Sequence, residues 1–160
     1  MLAVSSCLMG EFCRFNGRSC RLKEINQLTD TIPIFSICPE LLGGLGTPRE
    51  PAEIINGTGE DVWNGTAKVF NKAGVDVTKT FISGAERSLE LVQRLPTQAI
   101  LFKDGSPSCG VTKIHDGSFS GSRKSGRGVT TALLMSRQYA VFSEMQLNEL
   151  LEWLTNWKGG

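Results

Sequence analysis

Four short apolar runs divide the chain and predict buried strands. They cover residues 2–6, 32–37, 98–102 and 139–142, and each is bounded by small or polar residues. Continuous apolar runs of this length are typical of strands that are covered on both faces, as in a parallel sheet. The chain is therefore expected to place a sheet at the centre of its core.

Helical periodicity fills most of the sequence between these runs. Helices are predicted over residues 21–28, 80–95, 128–137 and 143–157. The second is the clearest, because Phe81, Ala85, Leu89 and Val92 recur at helical spacing and Pro96 ends the pattern. The fourth opens with Ser143 and, three residues later, Gln146, a pairing typical of a capping box.

Alternating strands and helices predict an α/β fold, a mainly parallel sheet flanked by helices and joined by right-handed crossovers. Residues 53–78 depart from this pattern, since four glycines interrupt short alternating runs there, and they predict a β-hairpin insertion. Near the C-terminus, Trp153, Leu154 and Trp157 lie at helical spacing. A helix packed on the sheet explains them better than an interaction surface.

Length and charge narrow the class of protein. With 160 residues, 40% of them hydrophobic, the chain is expected to form one domain over residues 1–160. Seventeen basic and sixteen acidic side chains give no reason to expect nucleic acid or a membrane as partner, so a small molecule is favoured. No apolar stretch approaches the roughly 20 residues of a membrane span. Since the N-terminus lacks a basic signal region, a cytoplasmic location is expected.

Five cysteines are the unusual feature of this composition. A reducing cytoplasm disfavours disulfides, and any one cysteine alone is best explained as a small buried hydrophobe. However, Cys7, Cys38 and Cys109 each follow a different predicted strand. Because ligands bind beyond the carboxyl ends of parallel strands, these thiols are expected to meet at one edge of the sheet.

The kind of donor suggests what the thiols bind. A structural zinc site uses four ligands, commonly as close C-x-x-C pairs, and the chain has no such pair. Its one histidine, His115, is expected in a solvated turn. Three thiolates suit an oxygen-sensitive iron–sulfur cluster with one iron open as a Lewis acid. Cys13 is left as a fourth ligand or a sulfur acceptor, and Cys20 as an incidental thiol.

Motifs around these cysteines resemble a bacterial family, long of unknown function, that includes the thiouracil desulfurases. The likeness spans nearly the whole chain. It is carried by Ser6-Cys7-Leu8-Met9-Gly10, Cys13-Arg14-Phe15-Asn16-Gly17, Cys38-Pro39-Glu40, Thr47-Pro48-Arg49, Pro51-Ala52-Glu53, Ser106-Pro107-Ser108-Cys109-Gly110, Gly128-Val129-Thr130-Thr131 and Val141-Phe142-Ser143-Glu144.

The resemblance implies a [4Fe-4S] cluster on Cys7, Cys38 and Cys109, with one open iron. It further implies an enzyme that removes sulfur from a thiolated small molecule, such as a thiouracil-like nucleobase, without net electron transfer. Phe15 and Asn16 stand where the family often has Tyr and Asp. This departure does not touch the implied ligands.

Five residues are predicted to serve the reaction. Glu40, two positions beyond Cys38, is the candidate general base for water. Ser106 is the candidate proton relay on the family resemblance, although serines in such turns often only cap backbone amides. Ser108 and Arg49, together with Cys13, are predicted to contact substrate; Arg49 could equally be a surface residue.

Two other functions remain open from the sequence. The same open iron could serve a hydro-lyase or a sulfur transferase. The cysteines could instead hold zinc or an electron-transfer cluster in a non-catalytic module, which would need four ligands. The sequence makes no prediction of the oligomeric state.

Overall fold

The computed structural model describes residues 1–157. In chain order the elements are β1 (Leu2–Ser5), α1 (Ser6–Met9), α2 (Ile25–Thr31), β2 (Ile34–Ile37), α3 (Pro39–Leu42), β3 (Ala52–Ile55), α4 (Gly59–Trp63), β4 (Lys68–Asn71), α5 (Thr78–Arg94), β5 (Ala99–Phe102), β6 (Lys113–His115), β7 (Arg123–Ser125), α6 (Val129–Ser136), β8 (Val141–Ser143) and α7 (Leu147–Asn156).

The four predicted strands form one parallel sheet in the order β2-β1-β5-β8. Leu2 pairs with Ile34 on one side and with Ala99 on the other, so β1 lies between β2 and β5. Every strand begins and ends within two residues of its predicted bounds. The α/β fold class with a mainly parallel sheet is therefore confirmed.

Alternation along the strands divides the core between the two faces of the sheet. Leu2, Val4 and Leu101 pack with residues of α2 and α7, among them Ile25 and Leu150. The intervening positions face the other way, because successive strand residues point to opposite faces. The second face is covered by α5 and α6, and its buried cluster includes Ala3, Ile100, Phe102, Val92 and Leu134.

Helices α5 and α6 lie where the periodicity predicts them, but two other helices begin later. α2 starts at Ile25 and not at residue 21. α7 starts at Leu147, since Ser143 still belongs to β8. The predicted pairing is nevertheless present: the Ser143 N–H donates to Gln146 Oε1 at 3.0 Å, and the Met145 N–H donates to Ser143 Oγ at 3.2 Å. These bonds close the turn that precedes α7.

Residues 53–78 contain the expected hairpin in an elaborated form. Antiparallel β3 and β4 pair Ile54 with Val69, and α4 occupies the connection between them. The hairpin packs through these residues on Phe81, Ala85 and other residues of α5 and α6. A second hairpin, β6 with β7, was not predicted, because its Gly- and Ser-rich connection has the composition of a plain loop.

The C-terminal aromatic residues belong mainly to the core. Trp153 and Leu154 pack against the buried cluster of the first face, and Trp153 meets Phe142 edge-on with ring centroids 6.4 Å apart. Trp157 is 40% exposed. Among the described helices, none has the length and apolar character that a bilayer crossing requires.

A close backbone contact fixes α3, which carries residues of interest, against α5. A Cβ on Gly84 would lie 2.1 Å from the Pro39 carbonyl oxygen, and one on Gly43 would lie 2.4 Å from the Thr80 carbonyl oxygen. Both distances are far inside van der Waals contact. Only glycine at these two positions allows the helices to approach so closely.

Replacing Gly84 with alanine should therefore destabilise the protein by about 1–3 kcal/mol, because the added methyl group overpacks a backbone contact that has no side chain to move aside. Urea denaturation measures the change. Gly46→Ala is the matched control, since nothing lies within 4 Å of its added Cβ. Equal stability of the two variants would contradict the close contact.

Candidate functional site

The cysteine-bearing loops meet at the point where the sheet changes direction. From β1 the chain moves to β2 on one side, and later crosses to β5 on the other. In open parallel sheets such a switch point forms a crevice beyond the carboxyl ends of the strands. Cys7 lies in α1 directly after β1, Cys38 is the N-cap of α3 after β2, and Cys109 lies in the loop after β5.

A cavity of about 190 Å³ lies at this edge, and four thiols line it. They belong to the three predicted ligands, Cys7, Cys38 and Cys109, and to Cys13. Cys20 lies behind the wall, where its N–H donates to the Cys7 carbonyl at 3.0 Å. The structure thus brings the predicted ligands to one cavity; their ligation of a cluster stays a prediction.

The thiols influence one another's protonation. Hydrogen bonds from Cys38 and then from Cys7 lower the pKa of Cys13, and the same contacts with Cys13 are the main cause of the raised pKa values of Cys7 and Cys38. Burial, followed by the negative charge of Glu40, raises the pKa of Cys109 to about 12. Since metal ligation requires thiolates, loading this cavity would release protons.

Iron–sulfur clusters are bound by cysteine thiolates, and four cysteine side chains line this cavity. The thiols that line the cavity therefore fit the donor set of an iron–sulfur cluster.

The Cys109 loop is held from inside by Asp104. Its Oδ1 accepts the N–H groups of Val111, Thr112 and Lys113 at 2.8, 3.1 and 3.1 Å, and its Oδ2 accepts the Thr112 hydroxyl. Burial alone would raise the pKa of Asp104, but these hydrogen bonds outweigh it and hold that pKa below its usual value. The loop that presents Cys109 thus closes around a buried carboxylate.

The N-terminus of α6 holds the same loop from outside. The N–H groups of Val129 and Thr130 donate to the carbonyls of Pro107 and Ser108 at 2.8 and 3.0 Å, and Thr131 Oγ1 donates to the Cys109 carbonyl at 2.9 Å. The first amides of a helix have no partner within the helix, so the loop satisfies them. Both sides gain hydrogen bonds, and the loop is fixed in place.

Glu40 lies beside Cys109 at the end of a short hydroxyl chain. Its Oε1 accepts Ser108 Oγ at 2.9 Å, and Ser108 Oγ lies 2.9 Å from Ser106 Oγ. Ser106 Oγ already accepts the N–H groups of Ser108 and Cys109 at 3.1 and 3.0 Å. Ser106 Oγ can therefore donate to Ser108 Oγ or, at 3.4 Å, to Glu40 Oε1, and Ser108 Oγ can donate to the same carboxylate oxygen.

Arg49 fixes the other oxygen of Glu40. Its Nε donates to Glu40 Oε2 at 2.8 Å, while its NH1 donates to the carbonyls of Cys13 and Gly46, each at 3.0 Å. The Arg49 N–H also donates to the Phe15 carbonyl at 2.7 Å. With 10% of its side chain exposed, Arg49 is not the surface residue that the sequence left open. Its contact with substrate stays a prediction.

Sequence reasoning missed several polar residues of the cavity wall, among them Lys103, Glu53 and His115. Lys103 follows β5 and pairs with Glu144. His115 belongs to β6, is half-buried, and has Nδ1 at 2.8 Å from the Gly105 carbonyl, so the expected solvated turn is wrong. Of these residues, only Glu53 could have been identified from the sequence, because it belongs to the motif Pro51-Ala52-Glu53 that carries the family resemblance.

Fold and site together define an α/β protein built around a thiol-lined cavity at the switch point of its parallel sheet. The family model of 2-thiouracil desulfurase matches residues 2–146. The chain belongs to this family.

Two similar proteins extend the comparison. The uncharacterized protein YbbK of Bacillus subtilis (strain 168) is 49% identical over 151 residues, covering 94% of this chain and 100% of YbbK. Among solved structures, a [4Fe-4S]-dependent thiouracil desulfidase, TudS, is 39% identical with a TM-score of 0.84. That alignment covers 96% of this chain and 97% of the TudS chain.

Replacing Asp104 with asparagine should destabilise the fold by about 1–3 kcal/mol at neutral pH, because charge-assisted hydrogen bonds in a buried loop are weakened. Since the folded pKa of Asp104 is lowered, its contribution is present above the unfolded value of about 3.9 and is lost as pH falls through the folded value. The stability difference from wild type should therefore shrink below about pH 4.

Denaturation of both proteins between neutral and acid pH measures this difference. Glu86→Gln is the control, because the Glu86 side chain is exposed on α5. A constant difference down to the lowest pH would show that the charge of Asp104 does not stabilise the loop.

Proposed function

We propose that this protein is a [4Fe-4S]-dependent desulfidase that replaces the sulfur of a thiolated, thiouracil-like nucleobase by oxygen. The observation that carries the proposal is the juxtaposition of four thiols with the Glu40–Ser108–Ser106 chain around one cavity. Family membership and the likeness to TudS support the same chemistry.

In this proposal Cys7, Cys38 and Cys109 hold the cluster, one thiolate from the end of each of three adjacent strands. When bound, the cluster would supply an open iron that holds the substrate sulfur as a soft Lewis acid. Cys13 lies on the wall as a neighbour of Cys7 and Cys38 and remains outside the ligand set.

The overall reaction is an exchange of groups without oxidation or reduction. The oxygen of water bonds to the thiocarbonyl carbon, the carbon–sulfur bond breaks, and sulfide leaves with the protons that water loses. Glu40 takes the first of these protons, since it lines the cavity. The ion pair with Arg49 holds Oε2 of Glu40 in place and leaves Oε1 on the side of Ser108.

The two serines connect Glu40 to further proton sites. Ser108 Oγ donates to Glu40 and lies 3.7 Å from Cys109 Sγ, and Ser106 completes the chain. Once Glu40 has taken a proton from water, the hydrogen bond reverses: the protonated carboxyl donates to a serine hydroxyl, and that hydroxyl gives its own proton to the departing sulfide. Ser106 thereby serves as relay while its oxygen also orders the loop backbone.

Alanine substitution of Cys7, Cys38 or Cys109 should abolish cluster assembly, because each removes one of three ligands. Cys13→Ala and Cys20→Ala should retain the cluster. Iron and sulfide analysis with absorption spectra, after anaerobic reconstitution, measures the outcome. Equal loss of iron in Cys13→Ala and Cys7→Ala would point to four ligands, and so to a closed cluster or a structural metal.

Glu40→Gln should lower the rate of sulfide release from 2-thiouracil by about 10²- to 10⁴-fold, the usual contribution of a general base, while iron content stays at the wild-type level. Anaerobic sulfide-release assays on cluster-loaded protein provide the measurement. Glu86→Gln, an exposed position of α5, is the matched control and should retain full activity. Full turnover by Glu40→Gln with an intact cluster would overturn the assignment of the base.

A further inference from the structure

Another carboxylate, Glu53, lies on the cavity wall and has no role in the chemistry described above. It belongs to β3 and is only 6% exposed. Its position is set by the loop after β6, because its Oε1 accepts the N–H groups of Gly117 and Phe119 at 3.0 and 3.2 Å. A buried carboxylate that lines a cavity is costly to keep unless its oxygens are used.

Among residues 1–157, hydrogen bonds from the protein reach only Oε1 of Glu53. Oε2 is not one of the fully buried atoms without a partner, so it keeps some contact with solvent. Because Glu53 lines the cavity and is nearly buried, a ligand bound there can use Oε2 as a hydrogen-bond acceptor.

Hydrogen bonds from two backbone amides hold the Glu53 carboxylate in a fixed position. The N–H groups of Gly117 and Phe119 lie on the loop between β6 and β7, and a Cβ on Gly117 would lie 2.8 Å from the Ile54 carbonyl. The loop thus packs directly on β3, next to Glu53. A group held by backbone donors on a packed loop is suited to recognising a ligand at a defined position.

We propose that Glu53 is the substrate-recognition residue of this site, and that its Oε2 accepts a hydrogen bond from a ring N–H beside the thiocarbonyl group. The inference rests on the proposed desulfidase function and names the substrate feature that the site selects: a cyclic thioamide with a free N–H. N-alkylated thioamides lack this donor and leave Oε2 unpaired in the cavity, so they are rejected.

Glu53→Gln tests the inference with little change in shape. The amide oxygen of glutamine is needed by the Gly117 and Phe119 N–H groups, so its NH₂ group takes the place of Oε2 and presents a donor to the substrate donor. For 2-thiouracil, kcat/KM should fall on the order of 10- to 100-fold, the range for a buried hydrogen bond left unmade. Iron content should not change.

The decisive measurement compares 2-thiouracil with its 1-methyl and 3-methyl derivatives on cluster-loaded protein. Wild type should reject at least one methyl derivative about tenfold or more, and Glu53→Gln should lose most of that discrimination. Anaerobic calorimetry with uracil, the product, should show weaker binding to the variant by a similar factor. A purely structural Glu53 would leave the discrimination ratio unchanged, so an unchanged ratio overturns the inference.

The two proposals fail in different ways. If cluster-loaded wild type releases no sulfide from 2-thiouracil, the proposed function fails before Glu53 is tested. If wild type is active and Glu53→Gln keeps both its affinity for uracil and its preference for the free N–H, only the recognition role fails. Glu86→Gln should match wild type in every assay, because its side chain is exposed on α5.

Discussion

Parallel pairing of β1 with β2 and β5 is the constraint on which the site depends. It brings the chain at positions 7, 38 and 109, far apart in sequence, to one edge of the sheet. The register is strongly fixed, because Leu2 and Val4 fill one face of the core while Ala3 belongs to the other. A shift by one residue would turn each side chain to the wrong face and move the strand ends relative to one another.

The loops at this edge of the sheet are ordered mainly by hydrogen bonds to their backbone N–H and C=O groups. The loop that carries Cys109 offers its N–H groups to Asp104 and its carbonyls to the N-terminus of α6. Arg49 does the same for the carbonyls of Cys13 and Phe15, through its side chain and its own amide. Because the backbone needs no further partners there, the side chains that line the cavity are free for ligands and for proton transfer.

The sheet was predictable from sequence, because short apolar runs of this length are typical of buried strands. The meeting of the cysteines was predictable too, because residues that follow parallel strands lie at the same edge of the sheet. Contacts between distant segments were not predictable. Arg49 next to Pro48 has the local signature of a surface residue, and only the fold brings it to Glu40, where it is nearly buried. His115 looked like a turn residue because its strand, β6, is only three residues long. The partner strand β7 is equally short and polar, so neither strand has a recognisable sequence pattern.

Of the carboxylates that line the cavity, Glu40 and Glu53 are held by different kinds of group. Glu40 is held by the hydroxyl of Ser108 and by a guanidinium, so one of its neighbours can pass a proton onward. Glu53 is held by backbone amides, which do not exchange protons during a reaction, and it is therefore a fixed acceptor. A carboxylate coupled to hydroxyls suits proton transfer, whereas one coupled to amides suits recognition. In the proposed mechanism, this difference in partners lets Glu40 and Glu53 take two roles without competing for the same proton.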